Sequence, residues 1–144
     1  MADTPVPETS EMADVQVQRV GTILAVADVD RSVAFYTGLF GFAVDATYAD
    51  PPYATLTLNG VRLSLAEQGH VAADRPGVLM TAPQDRSKLP VVLVLEVADA
   101  WAVHGVLAAE GATFLADPYE PPWGGCRFFV VDPDGYLVEV EQPA

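Results

Sequence analysis

The sequence predicts an α+β domain built from two similar halves, each with a strand, a helix and about three further strands. Two passages carry this prediction: RVGTILAVADVDRSVAFYTGLFGF at Arg19–Phe42 and PVVLVLEVADAWAVHGVLAAEGATF at Pro90–Phe114. Each passage begins with an apolar run, continues through Val-Ala-Asp and enters a helical pattern that stops at a glycine. The halves are offset by roughly 70 to 75 residues, a spacing that is too long for a solenoid repeat.

Both predicted helices have a start signal and a stop signal. Asp28 and Asp99 precede the helical patterns, and an aspartate at an N-cap accepts hydrogen bonds from the free N–H groups of the first turn. Gly41 and Gly111 follow the patterns and supply a residue that adopts the left-handed conformation at a helix end. The sequence therefore predicts one helix after Asp28 and a second after Asp99.

Each half closes with a predicted β-hairpin. The hairpin sequences are TLTLNGVRLSLAEQ at Thr55–Gln68 and FFVVDPDGYLVEVEQ at Phe128–Gln142. Asn59-Gly60 and Asp134-Gly135 are the turn dipeptides, because both types tolerate the positive φ that tight hairpin turns need.

These signals divide the chain into a short arm and a single domain. Residues 1–17 carry prolines and acids without periodicity and are predicted to form a flexible N-terminal arm. The domain is predicted over residues 18–144, with modules at about 18–68 and 90–142. Residues 69–89 are rich in proline, glycine and charge, and are predicted to be a linker loop.

Composition excludes several classes of partner. The chain has 144 residues, with 20 acidic against 7 basic residues and a formal charge of −13. This charge repels phosphate backbones and anionic lipid surfaces, so no nucleic-acid or membrane partner is expected. The sequence contains neither a secretory signal nor an apolar stretch long enough to span a bilayer, so a cytoplasmic location is expected. The lone Cys126 excludes an internal disulfide and a cysteine-rich zinc site.

Motifs of nucleophilic and phosphoryl chemistry are absent from the sequence. No serine lies in a Gly-x-Ser-x-Gly elbow, Cys126 has no local basic partner, and no glycine-rich loop opens a helix with a lysine. His70 falls in the predicted linker and His104 in the middle of a predicted helix, and we expect both to be solvated surface histidines.

Two segments resemble signatures of the vicinal oxygen chelate superfamily, which includes glyoxalase I, the extradiol dioxygenases and the bleomycin-resistance proteins. They are VADVDRSVAFYTGLFGF at Val26–Phe42 and VVDPDGYLVEVEQ at Val130–Gln142, and the resemblance extends over about residues 19–142. It implies paired βαβββ modules whose curved sheets enclose a cavity. It also implies a homodimer in which the cavities form between chains, with exchange of an N-terminal strand or of a module in some members.

The resemblance implies a metal-ligand position on the opening and closing strands of each module. The matching residues here are Gly21, Ser64, Val92 and Glu139, whereas metal-dependent members mostly use His, Glu or Gln. A divalent cation needs three or four strong protein ligands, and only Glu139 is a good one. We therefore expect no metal and no cofactor.

The period of two along a strand separates its cavity side from its core side. Small residues on the cavity side leave room for a ligand. Counted from the ligand positions, the cavity side should carry Gly21, Ile23, Ala25, Arg62, Ser64, Ala66, Val92, Val94, Glu96, Leu137, Glu139 and Glu141. The opposite side, buried beneath the helices, should carry Leu63, Leu65, Leu93, Leu95, Val97, Val138 and Val140.

Aromatic residues near the predicted strand ends suggest a binding role. Trp123 precedes Gly124-Gly125 in the second half, and Tyr48 and Tyr53 lie at a similar place in the first. Such rings stack well on flat, conjugated ligands, although they could equally close the sheet edges. Trp101, on the second predicted helix, is expected to be a packing residue.

The function predicted from the sequence is metal-free binding of a small molecule. The protein would confer antibiotic self-resistance by sequestering an aromatic or cationic natural product, with no catalytic residue. The predicted ligand-binding residues are Tyr48, Tyr53, Arg62, Ser64, Glu96, Trp123, Phe129 and Glu139. One alternative is a superfamily enzyme (a lyase, isomerase or dioxygenase) that uses Glu139 with an atypical metal site or as a metal-free acid or base. Another is a degenerate domain that acts as an interaction or regulatory module.

Overall fold

A computed structural model describes residues 14–144. These residues form seven β-strands and two α-helices: β1 Gly21–Val26, α1 Val29–Phe40, β2 Ala43–Ala49, β3 Pro52–Leu58, β4 Val61–Glu67, β5 Val92–Glu96, α2 Ala100–Ala109, β6 Cys126–Val131 and β7 Leu137–Gln142. Most of the predicted N-terminal arm lies outside the described residues. Residues 68–91, which include the predicted linker, contain no helix or strand.

The strands form two sheets, one from each half of the chain. The first sheet has the order β1-β4-β3-β2 and the second has the order β5-β7-β6. In each sheet the opening strand runs parallel to the closing strand, β1 beside β4 and β5 beside β7, while the remaining pairs are antiparallel. This arrangement confirms the predicted α+β fold of two related modules.

The second module is shorter by one strand than the sequence predicted. Where the first module has β2, the second has only two isolated bridges, from Phe114 to Val130 and from Tyr119 to Arg127. Pro118 lies between the bridges and has no N–H to donate to a ladder. The expectation of about three strands after the second helix is therefore wrong by one strand.

Both helices begin after the predicted caps; the first ends at the predicted Gly41, whereas the second has Glu110 as its C-cap and Gly111 directly after it. The Asp28 carboxylate accepts a hydrogen bond from the N–H three residues later at 3.1 Å, and the Asp99 carboxylate does the same at 3.0 Å. Gly41 and Gly111 adopt φ values of 78° and 81°, in the left-handed region that favours glycine. No helix within residues 14–144 is long and apolar enough to cross a membrane.

The hydrophobic core lies between the helices and the sheets, on the strand faces that the alternation predicts. Its largest fully buried side chains are Tyr36, Phe128, Leu56, Leu63, Leu65, Leu107, Val26, Val130, Val138 and Val140. Leu93, Leu95 and Val97 are partly buried and pack against this core. Core residues from both modules belong to one continuous cluster.

The turn between β6 and β7 is built around the buried Asp132. Its side chain accepts hydrogen bonds from the backbone N–H groups of Asp134 and Tyr136, each at 2.9 Å. It also accepts a hydrogen bond at 2.7 Å from the Tyr36 hydroxyl on helix α1. One carboxylate therefore shapes its own turn and attaches the second module to the first.

Two further residues of this turn contact the first module. The Asp134 carboxylate accepts hydrogen bonds from the Ala27 N–H at 2.9 Å and from the Ser32 hydroxyl at 3.3 Å. The Tyr136 hydroxyl donates to the Ala25 carbonyl at 2.8 Å. Asp132, Asp134 and Tyr136, which we call the inter-module turn, are all buried.

Candidate functional site

Each sheet has one face that turns away from the helices. In the first sheet the cross-strand neighbours on this side are Gly21 and Arg62, then Ile23, Ser64 and Thr55, then Tyr53 and Tyr48. We call this surface the first outer face. In the second sheet, the cross-strand neighbours on the corresponding side form three rows: Val92 and Leu137; Val94, Glu139 and Phe129; and Glu96, Glu141 and Arg127. We call this surface the second outer face.

Arg62 and Ser64 on β4 lie in a cavity on the first outer face. The cavity has a volume of about 270 Å³ and is lined by Arg19, Val20, Gly21, Thr22, Ile23, Tyr53, Arg62 and Ser64. The Arg62 guanidinium lies 3.8 Å from the Asp45 carboxylate, and 41% of its side chain is exposed. Its Nε is buried and has no hydrogen-bond partner among the described residues. The exposed part of the guanidinium is therefore the part of Arg62 that a ligand on this face can reach.

Two tyrosines extend the first outer face toward β2. Tyr48 and Tyr53 are cross-strand neighbours, and their ring centroids lie 6.0 Å apart with the planes tilted by 56°. Tyr48 is 61% exposed, whereas Tyr53 is half-buried. The pair offers an aromatic surface beside the cavity.

Glu139 and Glu141 are two residues apart on β7, so both carboxylates lie on the second outer face. Burial raises the pKa of Glu139, and hydrogen bonding to Glu141 and the negative charge of Glu141 raise it further. The positive charge of Arg127 acts in the opposite direction. Glu139 thus holds a proton to higher pH than a solvated glutamate does.

The Arg127 side chain is placed between aromatic rings at the end of this face. Its guanidinium carbon lies 5.5 Å from the ring centre of Tyr119 and 5.8 Å from that of Trp123. The sequence interpretation included Trp123 but missed both Arg127 and Tyr119. The alternation along β6, which places Arg127 on the same side as Phe129, was the signal that could have identified the arginine.

The predicted ligand-binding residues divide into two groups within one chain. Tyr48, Tyr53, Arg62 and Ser64 lie on the first outer face, whereas Glu96, Phe129 and Glu139 lie on the second, with Trp123 beside them. The cavity on the first outer face includes no residue of the second sheet. A small cavity of about 40 Å³ beside Trp123, Arg127 and Glu141 includes no residue of the first sheet.

The residues at the metal-ligand positions do not fit a metal site of the superfamily. Gly21 and Val92 contribute no side-chain donor, which leaves the buried Ser64 hydroxyl and the Glu139 carboxylate. Within residues 14–144, no cluster of three or more His, Cys, Asp or Glu side chains is placed to hold a metal ion.

Neither histidine lies on an outer face strand, and the two differ in environment. His70 is exposed and hydrogen-bonds to Glu67 at 2.6 Å. His104 is half-buried, stacks on Phe114 at a centroid distance of 4.2 Å and meets the edge of Phe128. The expectation of a solvated histidine is therefore wrong for His104. The expectation that Trp101 packs in the interior is also wrong, because its side chain is 51% exposed.

Comparison with known proteins identifies the family. The sequence model of the Glyoxalase/Bleomycin resistance protein/Dioxygenase superfamily matches residues 16–140. No curated protein matches the chain.

Three solved structures illustrate the likeness in fold. TnmS3, an antibiotic binding protein from Streptomyces sp. CB03234, has a TM-score of 0.67 at 22% identity, covering 92% of this chain and 99% of its own. A glyoxalase/bleomycin resistance protein/dioxygenase from Nocardioides has a TM-score of 0.72 at 22% identity, covering 93% and 88%. A lactoylglutathione lyase from Agrobacterium tumefaciens has a TM-score of 0.68 at 19% identity, covering 85% and 91%. With the family model matching most of its length, the chain belongs to the glyoxalase/bleomycin resistance protein/dioxygenase superfamily.

Proposed function

We propose that this chain is a metal-free binding protein for a small aromatic or cationic natural product and that it confers antibiotic self-resistance by sequestration. The ligand-binding residues would be Tyr48, Tyr53, Arg62, Ser64, Glu96, Trp123, Phe129 and Glu139. The proposal includes a cytoplasmic location, where the protein would lower the concentration of free ligand before the ligand reaches its target.

The observation that carries the proposal is the pairing of exposed aromatic rings with charged groups on the outer faces. Tyr48 is 61% exposed and Trp123 is 69% exposed, so both rings are free to stack on a ligand. Arg62 and Glu139 supply charges on the same surfaces. This combination suits a flat, polar ligand better than it suits a solvated surface.

The residues at the metal-ligand positions support binding rather than metal-assisted chemistry. Glycine at position 21 and valine at position 92 offer no side-chain donor at the positions where metal-dependent relatives of the superfamily carry ligands. A likeness in fold to TnmS3, which is an antibiotic binding protein, agrees with this assignment.

The proposal also includes a homodimer in which each cavity forms between two chains. β1 and β5 are edge strands of their sheets, and the outer-face side chains of Ile23 and Val94 are 49% and 50% exposed. An edge strand with exposed apolar side chains is a favourable surface for a second chain. A first outer face from one chain and a second outer face from its partner would together enclose a cavity lined by residues of both faces.

A thermal-shift screen against antibiotics and aromatic natural products tests the binding role. A compound at about 100 times its Kd should stabilise the protein by about 2.7 kcal/mol. Trp123→Ala should reduce this shift, whereas Trp101→Ala, which removes the exposed tryptophan of helix α2, should preserve it. The proposal fails if no compound shifts the transition, or if both tryptophan variants respond alike.

A mixing experiment tests the shared cavity. One chain carries Arg62→Ala on the first outer face, and the other carries Trp123→Ala on the second. Each variant alone should bind poorly, but a mixed dimer would regain one intact cavity, so random mixing should restore about a quarter of the wild-type sites. Failure to regain any site, or a monomer in light scattering, would contradict the shared cavity.

A second candidate function is metal-free acid–base catalysis by Glu139. The pKa of Glu139 is raised by burial and by Glu141 on the same strand, which is the direction in which enzymes shift the pKa of a glutamate that acts as a general acid or base. Glu139→Gln should then abolish turnover of a small oxoacid or thioester while leaving substrate binding intact. Stoichiometric Zn, Fe, Mn or Ni in the purified protein would instead favour a metal-dependent enzyme.

A further inference from the structure

Arg127 is a cation that rests on aromatic rings at the end of the second outer face. Its guanidinium lies within 5.5 Å of the Tyr119 ring centre and 5.8 Å of the Trp123 ring centre, distances at which the face of a ring attracts a cation. Tyr119 is 49% exposed and Trp123 is 69% exposed. The rings therefore hold the side chain in place at a position that solvent or a ligand can reach.

The Arg127 guanidinium has its hydrogen-bonding capacity unused. Within residues 14–144 it forms neither an ion pair nor a side-chain hydrogen bond, since the ion pairs of this region involve Arg31, Arg62 and His70. A guanidinium carries five N–H donors in a planar fork. A cation–π contact uses the charge of the guanidinium and does not require its N–H donors.

The space beside Arg127 fits a small polar group. The cavity there has a volume of about 40 Å³, and its lining includes Trp123, Arg127, Glu141 and Gln142. A polar cavity of this size has room for at least one water molecule, so it can take the small polar end of a ligand. A planar ring attached to that end would lie beside the exposed ring of Trp123.

We propose that Arg127 binds an acidic or carbonyl oxygen of a planar aromatic ligand, and that Tyr119 and Trp123 hold its guanidinium in position. This inference rests on the proposed binding function and narrows the ligand class. Aromatic character would bring the ligand to the second outer face, and an oxygen acceptor would fix its orientation through the two-donor edge of the guanidinium.

The competing explanation is that Arg127 only balances the charge of Glu139, whose pKa it lowers. The two explanations differ in what Arg127→Gln changes. A counter-ion affects the protonation of Glu139 and leaves the choice between acidic and neutral ligands of the same shape unaltered. A ligand contact affects that choice directly.

Two fluorescent probes with the same ring system separate the explanations. 8-Anilino-1-naphthalenesulfonate carries a sulfonate, and N-phenyl-1-naphthylamine is its uncharged counterpart. The Trp101→Phe background leaves Trp123 as the sole tryptophan, so quenching of its emission reports binding at the second outer face. Dissociation constants for both probes are measured for this background and for Arg127→Gln, Arg127→Lys and Arg75→Gln within it.

We expect Arg127→Gln to weaken binding of the sulfonate probe by about tenfold, the loss of one charge-assisted contact, and to change the neutral probe by less than about twofold. Arg127→Lys should recover part of the loss, because lysine keeps the charge but lacks the planar fork. Arg75→Gln, in the linker, should change neither constant. Unfolding midpoints within a few degrees of the background confirm that each variant is folded.

The outcomes distinguish this inference from the function on which it rests. If both probes quench Trp123 and Arg127→Gln weakens both or neither, Arg127 is not the oxygen-binding residue, while binding at this face stands. If neither probe quenches Trp123 in the folded background protein, the second outer face does not bind aromatic molecules. The proposed function is then contradicted as well.

Discussion

The two hairpin turns of the molecule occupy the same place in the two modules but have different environments. The turn at Asn59-Gly60 has two residues, both exposed, with φ values of 48° and 79°. The turn between β6 and β7 spans residues 132–136 and buries Asp132 and Asp134. The first turn only reverses the chain, whereas the second also joins the modules.

This difference shows how duplicated modules acquire separate roles. A two-residue turn with positive φ satisfies its local geometry and needs no other contact. The longer turn carries carboxylates that would be costly to bury without partners, and helix α1 and the end of β1 supply those partners. A substitution should therefore cost most in the inter-module turn and least in the exposed turn.

The largest expected effect is that of Asp132→Ala. It leaves the Tyr36 hydroxyl and two backbone N–H groups without their acceptor, so the free energy of unfolding should fall by about 4 kcal/mol. Urea denaturation followed by circular dichroism measures this change. Asp74→Ala, at an exposed linker position, should stay within about 0.5 kcal/mol of wild type. Equal stability of the two variants would show that the inter-module turn does not hold the modules together.

The loss of stability caused by Asp132→Ala should itself depend on pH. Burial raises the pKa of Asp132 above its ordinary value, although hydrogen bonds from Tyr36 and from its own turn oppose the increase. The folded protein therefore retains this proton more firmly than the unfolded chain. The contribution of Asp132 to stability is fully present below the unfolded pKa and decreases as the pH rises through the folded pKa. The stability difference between wild type and Asp132→Ala should shrink over that range, and a growing difference contradicts the raised pKa.

The next effect compares two glycines, Gly125 in the second module and Gly41 in the first. Both have positive φ, but a Cβ on Gly125 would collide with the backbone carbonyl of Gln142, while a Cβ on Gly41 meets nothing within 4 Å. Gly125→Ala should destabilise the protein by about 3 kcal/mol, because overpacking adds to backbone strain. Gly41→Ala should cost only about 1 kcal/mol. Thermal unfolding of both variants tests the order, and a reversed order would refute this packing.

The two tyrosines that join the modules should contribute unequally to stability, and both losses should be smaller than that of Asp132→Ala. Tyr36→Phe removes a hydrogen bond to a carboxylate, whereas Tyr136→Phe removes one to the neutral Ala25 carbonyl. Hydrogen bonds to charged groups contribute more, so the losses should be about 2 and about 1 kcal/mol respectively. Urea denaturation measures both losses, and a larger loss for Tyr136→Phe would contradict this order.

The smallest effect is expected at the exposed turn. Asn59→Ala places alanine at a φ of 48° and should cost about 1 kcal/mol, the penalty of the left-handed region for a residue with a Cβ. Asn59→Gly should be within about 0.5 kcal/mol of wild type, because glycine adopts this region freely. If Asn59→Ala costs as much as Asp132→Ala, the two turns do not differ as described.

Features that depend on neighbours in sequence were predicted well. The caps at Asp28 and Asp99, the glycines that end the helices and the hairpin at Asn59-Gly60 each depend on a few consecutive residues. The alternation along the strands also predicted which side chains are buried, because its period is fixed by strand geometry. The missing strand of the second module was harder to predict, since residues 114 and 119 still form single bridges to β6.

The candidate site was predicted only in part, because its residues come from distant segments. Each outer face was identified by strand alternation, yet the position of Arg127 between Tyr119 and Trp123 depends on how a loop folds back beside β6. The partners of Asp132 are likewise remote, with Tyr36 at a separation of 96 residues. No local pattern in the sequence predicts the hydrogen bond between Tyr36 and Asp132.

The sequence by itself determined the two modules, their caps and turns, and the face of each strand that meets the helices. These follow from backbone conformational preferences and from hydrophobic periodicity, which act over a few residues. The tertiary structure alone decided that the inter-module turn joins the two halves and that the outer faces stay separate within one chain. These features depend on which buried polar groups form hydrogen bonds and which strand edges stay exposed. Both are determined by contacts between segments that are distant in sequence.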